Sequence, residues 1–257
     1  MSAGHLRHPE RSEGPPAEIR GSFAHAQDDV HTLVHAISIP SRAFTGDFWF
    51  THRTSDRLWF AIGDVAGKGL PAALVMAMIQ EELEHRIASC ARAGCNPATT
   101  MSRLHGFLRP LLPSNRFATA VIGWIRDDGC VKIVNAGHCP PLIVYRDGRI
   151  GAVSSTGPVV GILEMSEWNA SSFMLADGEM LFLYTDGVTE AVSLDDVEFG
   201  REGIERVLRR SGTCCMRTVT SSIVDAVHMH ANGERSDDLT VMAIATASGQ
   251  PTADSRS

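Results

Sequence analysis

The 257-residue chain lacks several features that would narrow its function at once. No apolar run approaches the roughly 20 residues a membrane-spanning helix requires, so a spanning protein is not expected. There is no basic excess: 23 Lys and Arg against 30 Asp and Glu leave a net charge of −7. No basic stripe is present either, which argues against a nucleic-acid partner. The six cysteines include no CxxC pair, so a zinc site is not expected. The N-terminus lacks the apolar stretch of about 7–15 residues that marks a secretory signal. Reduced thiols in a cytoplasmic protein are the simple reading. Neither an internal repeat nor a Ser/Gly linker interrupts the chain.

What is present fits one folded domain. Hydrophobic residues make up 44% and charged residues 21%, close to a soluble globular average. Residues 1–29 are rich in Pro and Gly without apolar periodicity and read as a disordered tail. Residues 249–257 are polar and read as a frayed end, leaving residues 30–248 as the folded unit. Short apolar runs predict strands at 58–62, 117–125, 131–134, 142–145, 149 onward, 180–184 and 239–245. Asp-Gly turns at Asp128-Gly129 and Asp147-Gly148 join two pairs of these into hairpins.

Helices are predicted at 72–88, 96–111, 201–210 and 216–231. Pro71 marks the start of the first, with Leu74, Met78, Ile79 and Leu83 on its apolar face. Asn96-Pro97 opens the second, with Met101, Leu104, Leu108 and Leu111 inward. Hairpins interrupted by a helix pair suggest an α+β domain on antiparallel sheets rather than a βαβ array.

Four aspartates share one setting. Asp47, Asp64, Asp186 and Asp237 each lie at a strand end or tight turn, beside a glycine or a second acid. Such carboxylates would repel one another and resist desolvation. A hard divalent cation relieves both costs, because Mg²⁺ and Mn²⁺ take oxygen ligands. Two such ions can clamp a phosphoryl group and activate water. Any one of these aspartates alone reads more readily as a turn residue. Four together, each abutting an apolar strand and without a basic partner in its own motif, read as a site.

Two other phosphate motifs fail. Gly63-Asp-Val-Ala-Gly-Lys-Gly69 has three residues between its first glycines and no Ser or Thr after Lys68, unlike a P-loop. An aspartyl-nucleophile phosphatase would need a second Asp two positions from Asp186, where Tyr184 and Val188 stand.

Six motifs then occur in order: Gly46-Asp-Phe-Trp49, Gly63-Asp-Val-Ala-Gly-Lys-Gly-Leu-Pro-Ala-Ala73, Phe117-Ala-Thr-Ala120, Asn135-Ala-Gly-His-Cys-Pro-Pro-Leu142, Leu183-Tyr-Thr-Asp-Gly-Val-Thr-Glu190 and Asp237-Asp-Leu-Thr240. Over about residues 36–246 the chain resembles the SpoIIE/RsbU-like branch of the metal-dependent PPM (protein phosphatase 2C-like) phosphatases. The resemblance implies an αββα sandwich, two antiparallel sheets flanked by helix pairs. It implies hydrolysis of protein phosphoserine or phosphothreonine with two Mn²⁺ or Mg²⁺ ions, by metal-activated water and without a covalent phosphoenzyme. Catalysis would rest on Asp64, Asp186 and Asp237. Asp64 would bridge the metals and the Val65 carbonyl would add a ligand. Asp186 and Asp237 would complete one metal, Asp47 would be a metal ligand on the other side of the centre, and Asp238 would stand behind the ligands.

The implied substrate is a phosphorylated anti-sigma-factor antagonist, a small STAS domain in partner-switching signalling. The helix from Pro71 to Ala88 would serve as a regulatory or dimer surface, with Met76, Met78 and Ile79 as an adaptable apolar contact. Two positions depart from the family pattern. Phe50 stands where the family often has a further acid, and Lys68 where the branch commonly has histidine. Lys68 reads as a solvated loop lysine ahead of an anion-holding one. His138 reads as a strand-end histidine ahead of a proton donor, with Asn135 and Gly137 shaping its turn. Two alternatives stay open: a catalytically silent binding module of the same fold, and a small-molecule phosphatase on the same metal centre.

Overall fold

The computed structural model describes residues 19–23, 32–41, 43–90, 95–113, 116–164, 166–213, 215–234 and 237–246. Its strands are β1 (Ile19–Phe23), β2 (Thr32–Ile39), β3 (Phe48–Arg53), β4 (Arg57–Val65), β5 (Ala118–Arg126), β6 (Cys130–Ala136), β7 (Leu142–Val144), β8 (Ile150–Ala152), β9 (Ser171–Met174), β10 (Met180–Tyr184) and β11 (Leu239–Thr246). Its helices are α1 (Leu70–Cys90), α2 (Pro97–Leu108), α3 (Asp186–Thr189), α4 (Gly200–Ser211) and α5 (Met216–His230). One sheet has the order β1-β2-β11-β10-β7-β8 and the other β3-β4-β5-β6-β9, with every ladder antiparallel.

Period-two alternation builds the layers. In β4, Trp59, Ala61 and Val65 face α1 and α2, while Leu58, Phe60 and Ile62 face the other sheet. In β11, Leu239, Val241, Ala243 and Ala245 face the α4–α5 side, and Met242 and Ile244 face inward. Strands apolar on both faces are the continuous runs visible in the sequence. Three apolar layers result: helix pair on sheet, sheet on sheet, sheet on helix pair. This is the αββα sandwich.

The helices follow their caps. Asn96 accepts a hydrogen bond from the Ala98 N–H at 3.2 Å, with Pro97 in the first turn. Met101, Leu104 and Leu108 are fully buried along one stripe of α2, each contributing roughly 1.5–3 kcal/mol of burial. Leu111 lies beyond the helix end and is 52% exposed, because the helical period no longer applies there. In α1 the buried stripe is Ala72, Ile79, Leu83 and Ile87. Leu74 sits about 140° around the helix from Ile79 and is 58% exposed, so it leaves the core face assigned to it. Ile79 is core and Met76 packs against it, so the large apolar residues left outward on α1 are Leu70 and Leu74.

Two further expectations change. Residues 19–23 of the assigned tail form β1, the edge partner of β2; the rest of residues 1–29, and the C-terminal stretch 249–257, lie outside the described residues. Cys95 is disulfide-bonded, so the reduced-thiol reading holds only for Cys130, Cys139 and Cys215 among the described residues. No described helix is long and apolar enough to cross a membrane.

Candidate metal centre

The topology brings the four aspartates to one end of the sandwich. β3 and β4 are antiparallel with Phe48 opposite Gly63, so the start of β3 and the end of β4 coincide. Asp47 and Asp64 therefore share one rim of their sheet. β10 and β11 are antiparallel with Tyr184 opposite Val241, so Asp186 follows β10 where Asp237 precedes β11. A hydrogen bond joins the two rims. Thr185 Oγ1 donates to Asp47 Oδ2 at 2.8 Å and accepts from the Thr240 N–H at 2.9 Å.

The charges act on one another. Burial raises the Asp64 carboxyl to about 7, and the carboxylates of Asp186, Asp237 and Asp238 push the same way. Asp186 is raised by burial and by Asp237. Asp47 is 4% exposed and held well above the usual carboxylate range, chiefly by burial, with Asp64 and Asp238 adding repulsion. The nearby ammonium is that of Lys68, whose Nζ lies 3.0 Å from Asp237 Oδ2. Lys68 is thus the counter-ion of Asp237, although its side chain remains 53% exposed.

Backbone closeness explains two glycines. A Cβ on Gly46 would fall 2.9 Å from Asp64 Oδ1 and 3.0 Å from the Val65 carbonyl oxygen. Two hard oxygens therefore converge on a cradle that only glycine leaves open. A Cβ on Gly187 would meet the Asp238 carbonyl oxygen at 1.9 Å, so the first turn of α3 rests directly on the 237–238 turn.

Asp238 is bonded to the loop that carries Gly46. It accepts from the Ser41 N–H at 2.7 Å, the Ser41 hydroxyl at 2.9 Å and the Gly46 N–H at 3.1 Å. It thereby fixes the loop that delivers Asp47. His138 is buried, with Nδ1 2.8 Å from Thr119 Oγ1, and Thr119 pairs with Asp64 across the ladder. Burial depresses the imidazole to about 4, against the Tyr184 backbone, which keeps it neutral at pH 7. Asn135 clamps the turn: its side chain accepts from the His138 N–H and donates to the His138 carbonyl. Phe50 packs against the β3–α1 core and stacks on His52.

The donor set suits a hard divalent ion: carboxylates and a carbonyl, crowded and short of cations. Among the described residues, no three acidic, histidine or cysteine side chains close into a ready-made coordination sphere. The reason is visible in the partners, since Asp47 is turned to Thr185 and Asp237 to Lys68. Sequence reasoning missed Thr185, Ser41 and Thr240. Thr185 and Thr240 lay inside the quoted motifs, but turn hydroxyls carry no periodic signal.

The family model described as Stage II sporulation protein E (SpoIIE) matches residues 54–247. The chain belongs to the SpoIIE family. Among curated relatives of this SpoIIE-family chain, Protein IcfG of Synechocystis is 29% identical over 243 residues, spanning 82% of this chain and 37% of that protein. Phosphoserine phosphatase RsbU of Bacillus subtilis is 24% identical over 213 residues, spanning 82% of this chain and 62% of that one. The chain thus spans less than two thirds of the length of either. The solved RsbU and RsbW domains of Rv1364c from Mycobacterium tuberculosis superpose with a TM-score of 0.73 at 23% identity, covering 86% of this chain and 62% of that one. The SiaA-PP2C domain of Pseudomonas aeruginosa gives 0.72 at 19% identity, covering 83% and 85%. The SpoIIE-family fold is therefore that of PP2C-like domains.

Proposed function

We propose that this SpoIIE-family domain is a metal-dependent protein serine/threonine phosphatase. One observation carries the reading: acids from both sheets meet at one rim, raise one another's proton affinity and have one nearby ammonium among them. Relatives support it. RsbU and RsbP of Bacillus subtilis are named phosphoserine phosphatases, and solved neighbours include RsbX with magnesium and PstP with two manganese ions.

Asp47, Asp64, the Val65 carbonyl, Asp186 and Asp237 would hold two Mn²⁺ or Mg²⁺ ions. When bound, such ions neutralise phosphoryl oxygens and lower the proton affinity of water. The chain does the rest. Asp64 would serve as a ligand in its ionised form. Lys68 pairs with Asp237 and competes with an ion for that carboxylate. Asp238 and Asn135 keep the two flanking turns from shifting, which in-line attack demands. A neutral His138 beside Thr119 supports the β4–β5 rim rather than donating protons.

The substrate we propose is a phosphorylated STAS-type anti-sigma-factor antagonist, in line with the RsbU likeness. The outward Leu70 and Leu74 of α1 form the surface for self-association or a regulatory partner. The decisive assay is p-nitrophenyl phosphate hydrolysis with and without Mn²⁺, beside Asp64→Asn. Metal-dependent turnover lost in the variant supports the enzyme. No turnover favours the silent binding module, which the Lys68–Asp237 pair on its own would suit. A panel of phosphorylated STAS proteins then separates protein from small-molecule substrates.

A further inference from the structure

An apolar recess of about 180 Å³ opens beside the acids. Val192, Val224, Val227 and Leu239 form its wall, and Gly187 and Asp237 form the end that touches the acidic centre. Residues 191–199 fold back beside it as a short hairpin. Val192 bridges Glu198, the Ser193 N–H donates to the Val197 carbonyl, and the Phe199 N–H donates to the Ala191 carbonyl. His230 Nε2 ties α5 to the same hairpin, 2.8 Å from the Val197 carbonyl.

The surface around the recess is unusual in two ways. Val192, Leu194, Val197 and Met229 are all exposed, Leu194 by 79% and Met229 by 74%. Of these, Val192 lines the recess, Leu194 and Val197 extend along the same hairpin, and Met229 follows the lining His228 on α5. The surface is also acidic: Glu234 and Asp237 line the recess beside His228, and the adjoining hairpin segment carries exposed Glu190, Asp195, Asp196 and Glu198. Burial raises the Glu190 carboxyl, and Asp186, Glu198 and Asp237 push the same way against Lys68, so Glu190 links the acids of the hairpin to those of the centre.

We propose that the recess and its rim receive the polypeptide flanking the phosphorylated residue of a protein substrate, with an apolar side chain in the recess and a lysine or arginine against the rim. The inference rests on the phosphatase reading. The phosphate must reach Asp64, Asp186 and Asp237, and a chain attached to it must cross an adjoining surface. This surface shares Asp237 and Gly187 with the centre. Its charge selects a basic flank, because like charges across a contact are costly and opposite charges steer encounter.

The test uses four fluorescein-labelled peptides carrying a non-hydrolysable phosphonate analogue of phosphoserine, with Leu or Ser at the apolar position and Arg or Asp at the flank. Binding to the full chain with Mn²⁺ is read by anisotropy. The Leu/Arg peptide is expected to bind most tightly. Leu to Ser should weaken it by about tenfold. Arg to Asp should weaken it by about fivefold, less at high salt. Val192→Ser should remove the Leu preference, and Glu234→Arg should reduce the Arg preference, both leaving p-nitrophenyl phosphate turnover within about twofold. Equal binding of all four peptides overturns the proposal. So does a loss in both variants that ignores peptide sequence. The predicted order without metal-dependent turnover keeps the docking surface and removes the phosphatase reading; turnover without peptide discrimination does the reverse.

Discussion

The two ends of the sandwich use aspartate in opposite ways. At the end of β3–β6 away from the centre, Asp56 pairs with Arg57 at 2.6 Å, Asp127 with Arg53 and Asp128 with Arg126. In the other sheet, Asp147 pairs with Arg149 at 2.6 Å in the β7–β8 turn. The Arg57 hydrogen bond lowers Asp56, the Cys130 N–H and then Arg126 lower Asp128, and Arg149 lowers Asp147. At the other end, burial and mutual repulsion raise Asp47, Asp64 and Asp186. Asp56, Asp128 and Asp147 are thus matched to an arginine one or two residues away, and Asp127 to one on β3, two strands over from β5. An aspartate at the acidic rim instead meets other acids from distant parts of the chain. The difference separates local structure from chemistry more cleanly than either end could alone.

The contrast can be broken at its strongest point first. Asp186→Asn should lower metal-dependent turnover by about a thousandfold, whereas Asp128→Asn should leave it within about twofold; similar losses in both would erase the distinction. Asp238→Ala should weaken Mn²⁺ binding by calorimetry about 10–100-fold, because Ser41 and Gly46 lose their acceptor.

The pH response sharpens the contrast further. Asp64 binds its proton more tightly in the fold than in the unfolded chain, with values of about 7 and 3.8. Its contribution to metal-free stability is full below pH 3.8 and lost as pH rises towards 7. Asp64→Asn should therefore raise the metal-free melting temperature by about 5 °C at pH 8, with a smaller gain at pH 5. A gain of equal size at both pH values would show that Asp64 carries no such strain. The smallest effect belongs to Lys68. Lys68→Met should tighten Mn²⁺ binding by about threefold, since Asp237 loses a competing ammonium. Weaker binding in that variant would mean Lys68 assists the ion instead.

Legibility followed burial. β10 and β11 are apolar on both faces, so their runs stood out as 180–184 and 239–245. Asn96-Pro97 announced α2 because capping is local chemistry. β2 went unread because its buried positions include His35 and Ser38, whose polar atoms meet Thr220 at 2.7 Å and Thr240 at 2.9 Å. Those partners lie about 200 positions away in the chain, and no window reading reaches them. β3 and β9 are only partly buried, so neither gives an unbroken apolar run. The acids were legible as a group since each ends a strand. Their bracing was not: Ser41 and Thr185 look like ordinary turn residues until the sheets are stacked.

The hydrogen bond from Thr185 to Asp47 spans the seam between the sheets, and Asp64 stands on one side of that seam while Asp186 and Asp237 stand on the other. Sliding one sheet over its neighbour by an ångström or so would leave every ladder within each sheet intact. It would nonetheless alter the spacing of the acids. The spacing of the acids is therefore set by how the two sheets are stacked, and not by either sheet alone.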